Sequence, residues 1–129
     1  MKNILLLLAL FLIIIYSCRQ IHFVDGESII LNRSIDTSLN DSAMIFGTVY
    51  YNDCDQCFAF QAKIWINGTE LNTMTGTKGY FKLIIPSGLS TIKCTRINDQ
   101  YKIIEEIKDL LILKNEKIEL KIILGHVVE

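Results

Sequence analysis

Thr75-Gly-Thr-Lys-Gly-Tyr-Phe-Lys-Leu-Ile-Ile-Pro-Ser-Gly88 is the stretch that decides the fold, because it has the pattern of one strand between two turns. Gly76 and Gly79 predict a tight reversal before the strand, since glycine reaches positive φ without a Cβ clash. Pro86 ends the strand by removing a backbone donor, and Gly88 turns the chain back. The residues between them alternate in polarity, which predicts a half-buried β-strand. Its apolar face consists of Phe81, Leu83 and Ile85.

Six further segments alternate in a similar way, and turn residues separate them. Asn67-Gly68 is a strong hairpin signal because both residues accept positive φ, and Asn98-Asp99 is a second turn. Seven short strands with frequent turns are typical of an all-β sandwich. Residues 105–114 also place apolar side chains at helical spacing, so a short helix is the alternative there to the strand and loop that we favour. The predicted strands cover residues 45–51, 60–66, 70–75, 80–85, 90–95, 101–107 and 118–124.

The amino terminus has the pattern of a secretory signal. Lys2 precedes an unbroken apolar run from Ile4 to Tyr16, and small residues follow it. Thirteen helical residues cover only about 20 Å, which is less than the ~30 Å hydrocarbon core of a bilayer. The sequence therefore predicts a signal peptide over residues 1–17 rather than a permanent membrane-spanning helix.

Ile15-Tyr16-Ser17-Cys18 resembles the lipobox of bacterial lipoproteins, although Tyr16 departs from the small residue common at its position. The resemblance implies cleavage before Cys18, diacylglycerol on its thiol and a fatty acid such as palmitate on its amine. Several acyl chains would give stable anchoring. The alternative is an ordinary signal peptide with an incidental cysteine. Acidic residues follow Cys18 late and apart, at Asp25 and Glu27, so we expect an outer-membrane lipoprotein of the cell envelope that faces the periplasm.

Residues 18–42 are predicted to be a lipidated cysteine followed by a flexible tether. The segment is rich in Ser, Asn and Asp, which favour turns over regular structure. Residues 29–31 could form a short strand, but their surroundings are too polar to build a core. The folded domain is then expected over residues 43–125, with a tail at residues 126–129.

The pattern from Ile45 to Leu124 resembles the carboxypeptidase regulatory-like domain, a transthyretin-like β-sandwich of Bacteroidota envelope proteins. This resemblance implies a seven-stranded transthyretin-like or Ig-like Greek-key sandwich. In that family the domain is usually an accessory beside a catalytic domain or receptor barrel, or it stands alone in lipoproteins. Neither larger partner is expected in this sequence, so peptidase activity is not implied. Two departures are Gly76, where an acidic residue is common, and Ser90, where a tyrosine is common. The matching segments are residues 45–49, 62–69, 75–81, 86–88 and 118–124.

Cys54-Asp-Gln-Cys57 is the one local cluster that could carry chemistry. A C-x-x-C pair can be a redox couple, half of a zinc site or a structural disulfide, and an oxidising envelope favours the disulfide. Zinc would need two more ligands. Cys94 alternates with core positions, and we place His22 and His126 at opposite ends of the folded unit. We therefore predict neither a bound metal nor a cofactor.

Trp65 is the candidate ligand contact. Together with Phe46 and Tyr50 it could point away from the main core, where exposed aromatic side chains could stack on sugars or dock a partner. The alternative is that the second sheet or the tether covers these rings. With only two histidines in the chain, we predict no Ser–His–Asp or Cys–His catalytic set.

The net charge of the chain argues against nucleic acid as a partner. The 129-residue chain has a formal charge of −1, and loss of residues 1–17 would make it about −2, so nucleic acid is not an expected partner. We predict a non-enzymatic, lipid-anchored module that interacts with another envelope protein. The first alternative is a glycan- or ligand-binding module that uses exposed aromatics, and the second is a redox or metal role for Cys54 and Cys57.

Overall fold

Strands make up most of the computed structural model, which describes residues 2–16 and 21–128. One α-helix precedes them, and a single turn of 3₁₀ helix spans Thr37–Leu39. The helix is α1 (Lys2–Tyr16), and the strands are β1 (His22–Val24), β2 (Glu27–Ile35), β3 (Ser42–Tyr50), β4 (Ala62–Ile66), β5 (Asn72–Met74), β6 (Tyr80–Pro86), β7 (Gly88–Arg96), β8 (Ile104–Ile112), β9 (Glu116–Ile123) and β10 (His126–Val128).

Two four-stranded sheets pack in a sandwich-like arrangement. Their strand orders are β2-β9-β3-β6 and β5-β4-β7-β8, and β1 pairs with β10 in a separate two-stranded ribbon. All pairs between these strands are antiparallel except β3 with β9, which run parallel. The prediction of an all-β sandwich is confirmed. Each of the seven predicted strands overlaps one of β3 to β9, but the described chain contains ten strands, so the count of seven is corrected.

Apolar side chains from the facing sides of both sheets fill the core. Alternate residues of β3, β4 and β9 are almost fully buried, as the period-2 pattern of a strand requires. β6 alternates in the same way, because one face of its sheet meets the core and the other meets solvent: Phe81 and Ile85 are buried, while Lys82 and Ile84 are exposed. The largest fully buried side chains are Phe81, Ile45, Ile64, Ile85, Ile92, Ile112, Ile118, Leu120, Ile122, Val49 and Cys94.

Residues 76–79 form the turn that leads into β6. The Gly79 amide donates to the Gly76 carbonyl at 3.0 Å, and the Gly76 amide donates to the Tyr80 carbonyl at 3.0 Å. Gly79 has a φ of 69°, as predicted, whereas Gly76 does not have a positive φ. A Cβ at Gly79 would also collide with the Val49 carbonyl oxygen, whereas a Cβ at Gly76 would meet open space. Only the second glycine is therefore required by this geometry.

The prediction of a flexible tether over residues 18–42 is corrected, because β1 and β2 both lie within this range. The register of β2 along β9 runs from Glu27 opposite Ile123 to Ile35 opposite Glu116, with an irregularity between Ile30 and Asn32. β2 is an edge strand whose side chains are mostly exposed, so its polar residues cost little. Backbone pairing with β9 outweighs the local preference of these residues for turns.

Residues 104–112 form a strand rather than a helix. β8 pairs with β7, and the register shifts between Ser90 and Ile92. At the shift, Asp109 has a φ of 50° and its amide donates to Thr91 Oγ1 at 3.2 Å. This irregularity changes the phase of the alternation, which explains the helix-like spacing in the sequence. The predicted strand at residues 101–107 starts too early and stops too soon.

Candidate functional site

Cys18 lies outside the described residues, so its lipidation stays a prediction. The helix that precedes it, α1, has fifteen residues, and the side chains described for residues 2–12 are all exposed. Within residues 2–16 and 21–128, no helix combines the length and the apolar character needed to span a membrane.

The Cys54 and Cys57 sulfurs form a disulfide in the loop between β3 and β4. Their Cα atoms are 5.3 Å apart, and the Cys57 amide donates to the Cys54 carbonyl at 3.2 Å. Cys54 is exposed and Cys57 is buried, while the Tyr51 amide donates to the Cys57 carbonyl at 2.8 Å. The disulfide therefore closes a small turn, and the Tyr51–Cys57 hydrogen bond fixes that turn to the end of β3.

Cys94 is a free thiol in the core of the sandwich. Burial raises the pKa of this thiol to about 12, and the charge of Glu105 adds to the effect. The thiolate, which is the metal ligand and the nucleophile, is therefore scarce at neutral pH. In the part of the chain that the structure describes, no three His, Cys, Asp or Glu side chains come together as a metal site would require.

Trp65 lies half-buried on β4. The Lys63 ammonium is 5.4 Å from the centre of its ring, and both side chains line a cleft of about 450 Å³ next to residues 69–72. On the neighbouring strand, Lys93 lies opposite Trp65 and forms an ion pair with Glu106 at 3.4 Å. The surroundings of the ring are thus polar and charged.

The structure does not bring Trp65 together with the other two predicted aromatics. Phe46 and Tyr50 are on β3, in the other sheet, and they alternate with buried residues of that strand. Each has a lysine of β9 above its ring: Lys117 lies 5.5 Å from Phe46 and Lys121 lies 5.3 Å from Tyr50. The three aromatics therefore form no shared platform, and the two sheets keep Trp65 apart from the other two.

A second feature, which the sequence did not reveal, is the end of the sandwich where β1 and β10 pair; we call it the ribbon end. It comprises the ribbon, the 51–61 loop, the 76–79 turn and the 97–103 loop. Backbone hydrogen bonds join these parts to the ends of the core strands: the Leu124 amide donates to Tyr50 and the Val49 amide donates to Gly79, both at 2.8 Å. Arg96 Nη2 donates to the Tyr51 carbonyl at 3.2 Å and so connects the two sheets here.

The ribbon corrects the predicted placement of the histidines. His22 lies opposite Val128 and Val24 lies opposite His126, so the two histidines share one face of the ribbon. The prediction that they lie at opposite ends of the folded unit is wrong. The predicted tail from His126 onward is likewise β10 up to Val128. Two strands of three residues each give too short a pattern to be detected in the sequence.

A cleft of about 410 Å³ lies between the ribbon and the 97–103 loop. Asp99 shapes this loop, because its carboxylate accepts hydrogen bonds from the Tyr101 and Ile103 amides at 3.0 and 3.1 Å. Tyr101 packs edge-on against Phe23, with ring centres 6.3 Å apart. His126 lines the cleft, and its buried Nδ1 atom has no hydrogen-bond partner among the described residues.

No protein-family model matches the chain, and no curated protein matches it by sequence.

Proposed function

We propose that the protein is a non-enzymatic, membrane-anchored envelope lipoprotein that acts as an accessory or protein-interaction module. The observation that carries the proposal is the order of features at the amino terminus. A fifteen-residue apolar helix is followed within two residues by Cys18, in the Ile15-Tyr16-Ser17-Cys18 pattern of a lipobox. The expected location is the outer membrane, with the sandwich facing the periplasm.

We also propose that the seven strands β3 to β9 form the transthyretin-like Greek-key unit of a carboxypeptidase regulatory-like domain, and that β1, β2 and β10 are additions to it. Support comes from the four-strand orders β2-β9-β3-β6 and β5-β4-β7-β8, in which sequence neighbours are often separated. The parallel pairing of β3 with β9, the first and last of the seven strands, is consistent with such a unit.

The free edge of β6 is the surface that we assign to a protein partner. On the opposite side of the sandwich, the edges of β2 and β8 are joined by side chains, because Ser28 Oγ donates to Glu105 at 2.9 Å and Arg33 donates to the Leu111 carbonyl. β5, the remaining edge, has three residues, whereas β6 has seven. An extended segment of a partner could therefore add to β6 through backbone hydrogen bonds. The exposed Lys82 limits indiscriminate pairing at this edge.

Metabolic labelling with a fatty-acid precursor tests the anchor. The wild-type protein should incorporate the label and sediment with membranes, and Cys18→Ala should do neither. Equal labelling of both proteins would refute lipidation at Cys18.

For the partner surface, a photo-crosslinking amino acid at Ile84 on β6 should yield a defined adduct in the native envelope, and the same group at Lys108 on β8 should not.

A ligand-binding role is the second candidate, and the cleft beside Trp65 is the observation that favours it. Because Trp65 is the single tryptophan of the chain, intrinsic fluorescence reports on this cleft directly. Titration with a panel of envelope and host glycans should change the emission if the cleft binds sugar. Emission that stays constant across the panel would remove the sugar-binding hypothesis.

A redox role would require reversible cycling of the Cys54–Cys57 disulfide, which thiol titration at controlled redox potential measures.

A further inference from the structure

We propose that the ribbon end lies against the lipid surface, so that the sandwich is docked on the membrane at this end rather than held away from it by a tether. This inference rests on the proposed function, because it requires a membrane anchor at Cys18. It goes beyond that function by assigning an orientation and a second membrane contact. The occupant of this surface is the bilayer that holds the anchor.

The length of chain between anchor and ribbon is the first argument. Only four residue-to-residue steps separate Cys18 from His22, the first residue of β1. A fully extended chain spans at most about 14 Å over that distance. Since β1 is paired with β10 along all three of its residues, the chain cannot lengthen this connection without breaking the ribbon. A lipid on Cys18 therefore keeps the ribbon end close to the bilayer.

The side chains at the ribbon end suit a membrane interface. Phe23 is 64% exposed and Ile97 is 42% exposed, although both are large apolar residues. They come from different parts of the chain, and the hydrogen bonds described above hold those parts at the same end. Aromatic and aliphatic side chains of this kind partition into the interfacial layer of a bilayer. The exposed apolar residues that we assign to the contact are Phe23, Val24, Tyr51, Phe60, Ile97 and Val128.

Exposure alone does not choose between the two ends of the sandwich. Ile35, Leu89 and Leu111 are also exposed, and they lie at the far end, where β7 begins and β2 and β8 finish. The seven residue-to-residue steps from Ile104 to Leu111 place that end about 23 Å from the ribbon end at the usual strand rise. The position of residue 18 in the chain selects the ribbon end as the one that meets lipid.

Charge at the ribbon end predicts how the contact responds to salt. The exposed basic side chains there are Lys78, Arg96 and Lys102, and the exposed carboxylates are Asp25, Asp53 and Asp55. The balance is close to neutral, so attraction to anionic lipid contributes little and burial of apolar surface dominates. We therefore expect the contact to persist at about 0.5 M NaCl. Tryptophan quenching by brominated lipid should change by less than about 20% between low salt and 0.5 M NaCl.

Tryptophan quenching by brominated lipid tests the orientation. The full-length protein, purified from a host that processes lipoproteins, is reconstituted into phosphatidylethanolamine–phosphatidylglycerol vesicles with or without bromine on the acyl chains. In a Trp65→Phe background, Ile97→Trp reports on the ribbon end and Leu111→Trp, as matched control, reports on the far end. We expect at least about twofold stronger quenching at position 97 than at position 111.

The outcomes separate this inference from the function on which it rests. If the protein floats with the vesicles but both probes are quenched equally or not at all, the docked orientation is wrong and the anchor stands. If the protein does not float and mass spectrometry finds Cys18 unmodified, the anchor itself fails and the docking fails with it. Should Ile97→Trp lose the circular dichroism of the folded protein, Phe60→Trp takes its place as the ribbon-end probe.

Discussion

Arg33 and Glu116 form a two-point ion pair that fixes the edge strand β2 to the sandwich. Arg33 Nε lies 2.9 Å from one oxygen of the Glu116 carboxylate, and Nη2 lies 2.7 Å from the other. The same Nη2 donates to the Leu111 carbonyl on the opposite sheet at 2.6 Å. Glu116 is buried, and it also accepts a hydrogen bond from the Leu113 amide at 3.1 Å. One guanidinium thus connects the two sheets along their β2–β8 side.

Replacing Glu116 with Gln should destabilise the fold by about 1–3 kcal/mol at neutral pH, because Arg33 loses its charged partner. Hydrogen bonding from Arg33 lowers the pKa of the Glu116 carboxyl from its ordinary value. A lowered pKa contributes stability that is present above the ordinary carboxyl range and is lost as pH falls through it toward the folded-state pKa. Urea unfolding between pH 7 and pH 3 should therefore show a shallower loss of stability in Glu116→Gln than in wild type.

Glu119→Gln is the matched control for this experiment, since Glu119 is on the same strand and has the opposite orientation from the buried Glu116. It should change the unfolding free energy by less than about 0.5 kcal/mol. The assignment of acid sensitivity to Glu116 fails if both variants follow the wild-type pH profile.

Thr75→Val should destabilise the protein by about 1–3 kcal/mol, because it leaves buried polar groups without partners. The Thr75 hydroxyl donates to the Ala59 carbonyl and accepts from the Ala62 amide, the latter at 2.9 Å, and its side chain is buried. Thr77→Val, two residues on at an exposed position, should stay within about 0.5 kcal/mol of wild type in the same denaturant titration. Equal effects of the two substitutions would argue against this hydrogen-bonded role.

Gly79→Ala should cost more than about 2 kcal/mol, whereas Gly76→Ala should be close to neutral. Gly79 combines a positive φ with a backbone carbonyl where a Cβ would lie, and Gly76 has neither constraint. The two alanine variants change the same turn by one methyl group each, so the difference between their melting temperatures isolates the geometry of Gly79. A melting temperature for Gly79→Ala at or above that of Gly76→Ala would contradict this account of the turn.

The three described cysteines should react with iodoacetamide in a fixed order. In the native, unreduced protein none of them should be modified, because Cys54 and Cys57 share a disulfide and Cys94 is buried with a raised pKa. Mild reduction should expose Cys54 first, and Cys94 should react only after unfolding. Peptide mass spectrometry locates each adduct, and modification of Cys94 in the folded protein would contradict its burial.

Loss of the disulfide should have a limited effect on stability. Closing a four-residue loop contributes about 2 kcal/mol in the chain-entropy description. The double variant Cys54→Ser/Cys57→Ser should therefore still unfold cooperatively, with a lower denaturation midpoint than wild type. Cooperative unfolding that disappears altogether would mean that the disulfide organises more than its own loop.

Turn chemistry and alternation made the core strands predictable from the sequence. Gly68 and Gly79 adopt positive φ values that few other residues tolerate, and Phe81 and Ile85 show by their spacing which side of a strand is buried. These are local signals, which is why β3 to β9 could all be anticipated. The same signals explain why Cys54 and Cys57, three residues apart, could be proposed as a disulfide, and why Cys94 could be placed in the core.

Only the tertiary structure decided where the first and last strands lie and which surfaces they form. The composition around Arg33 favours turns, yet the segment is a strand because β9 supplies backbone partners and Glu116 supplies a charge more than eighty residues away. His22 and His126 share one ribbon for the same reason. Alternation tells which face of a strand is buried but not which strand lies beside it, since pairing depends on residues distant in sequence. The sequence by itself therefore determined the strands of the core, and long-range pairing determined the edge, the ribbon and the candidate membrane surface.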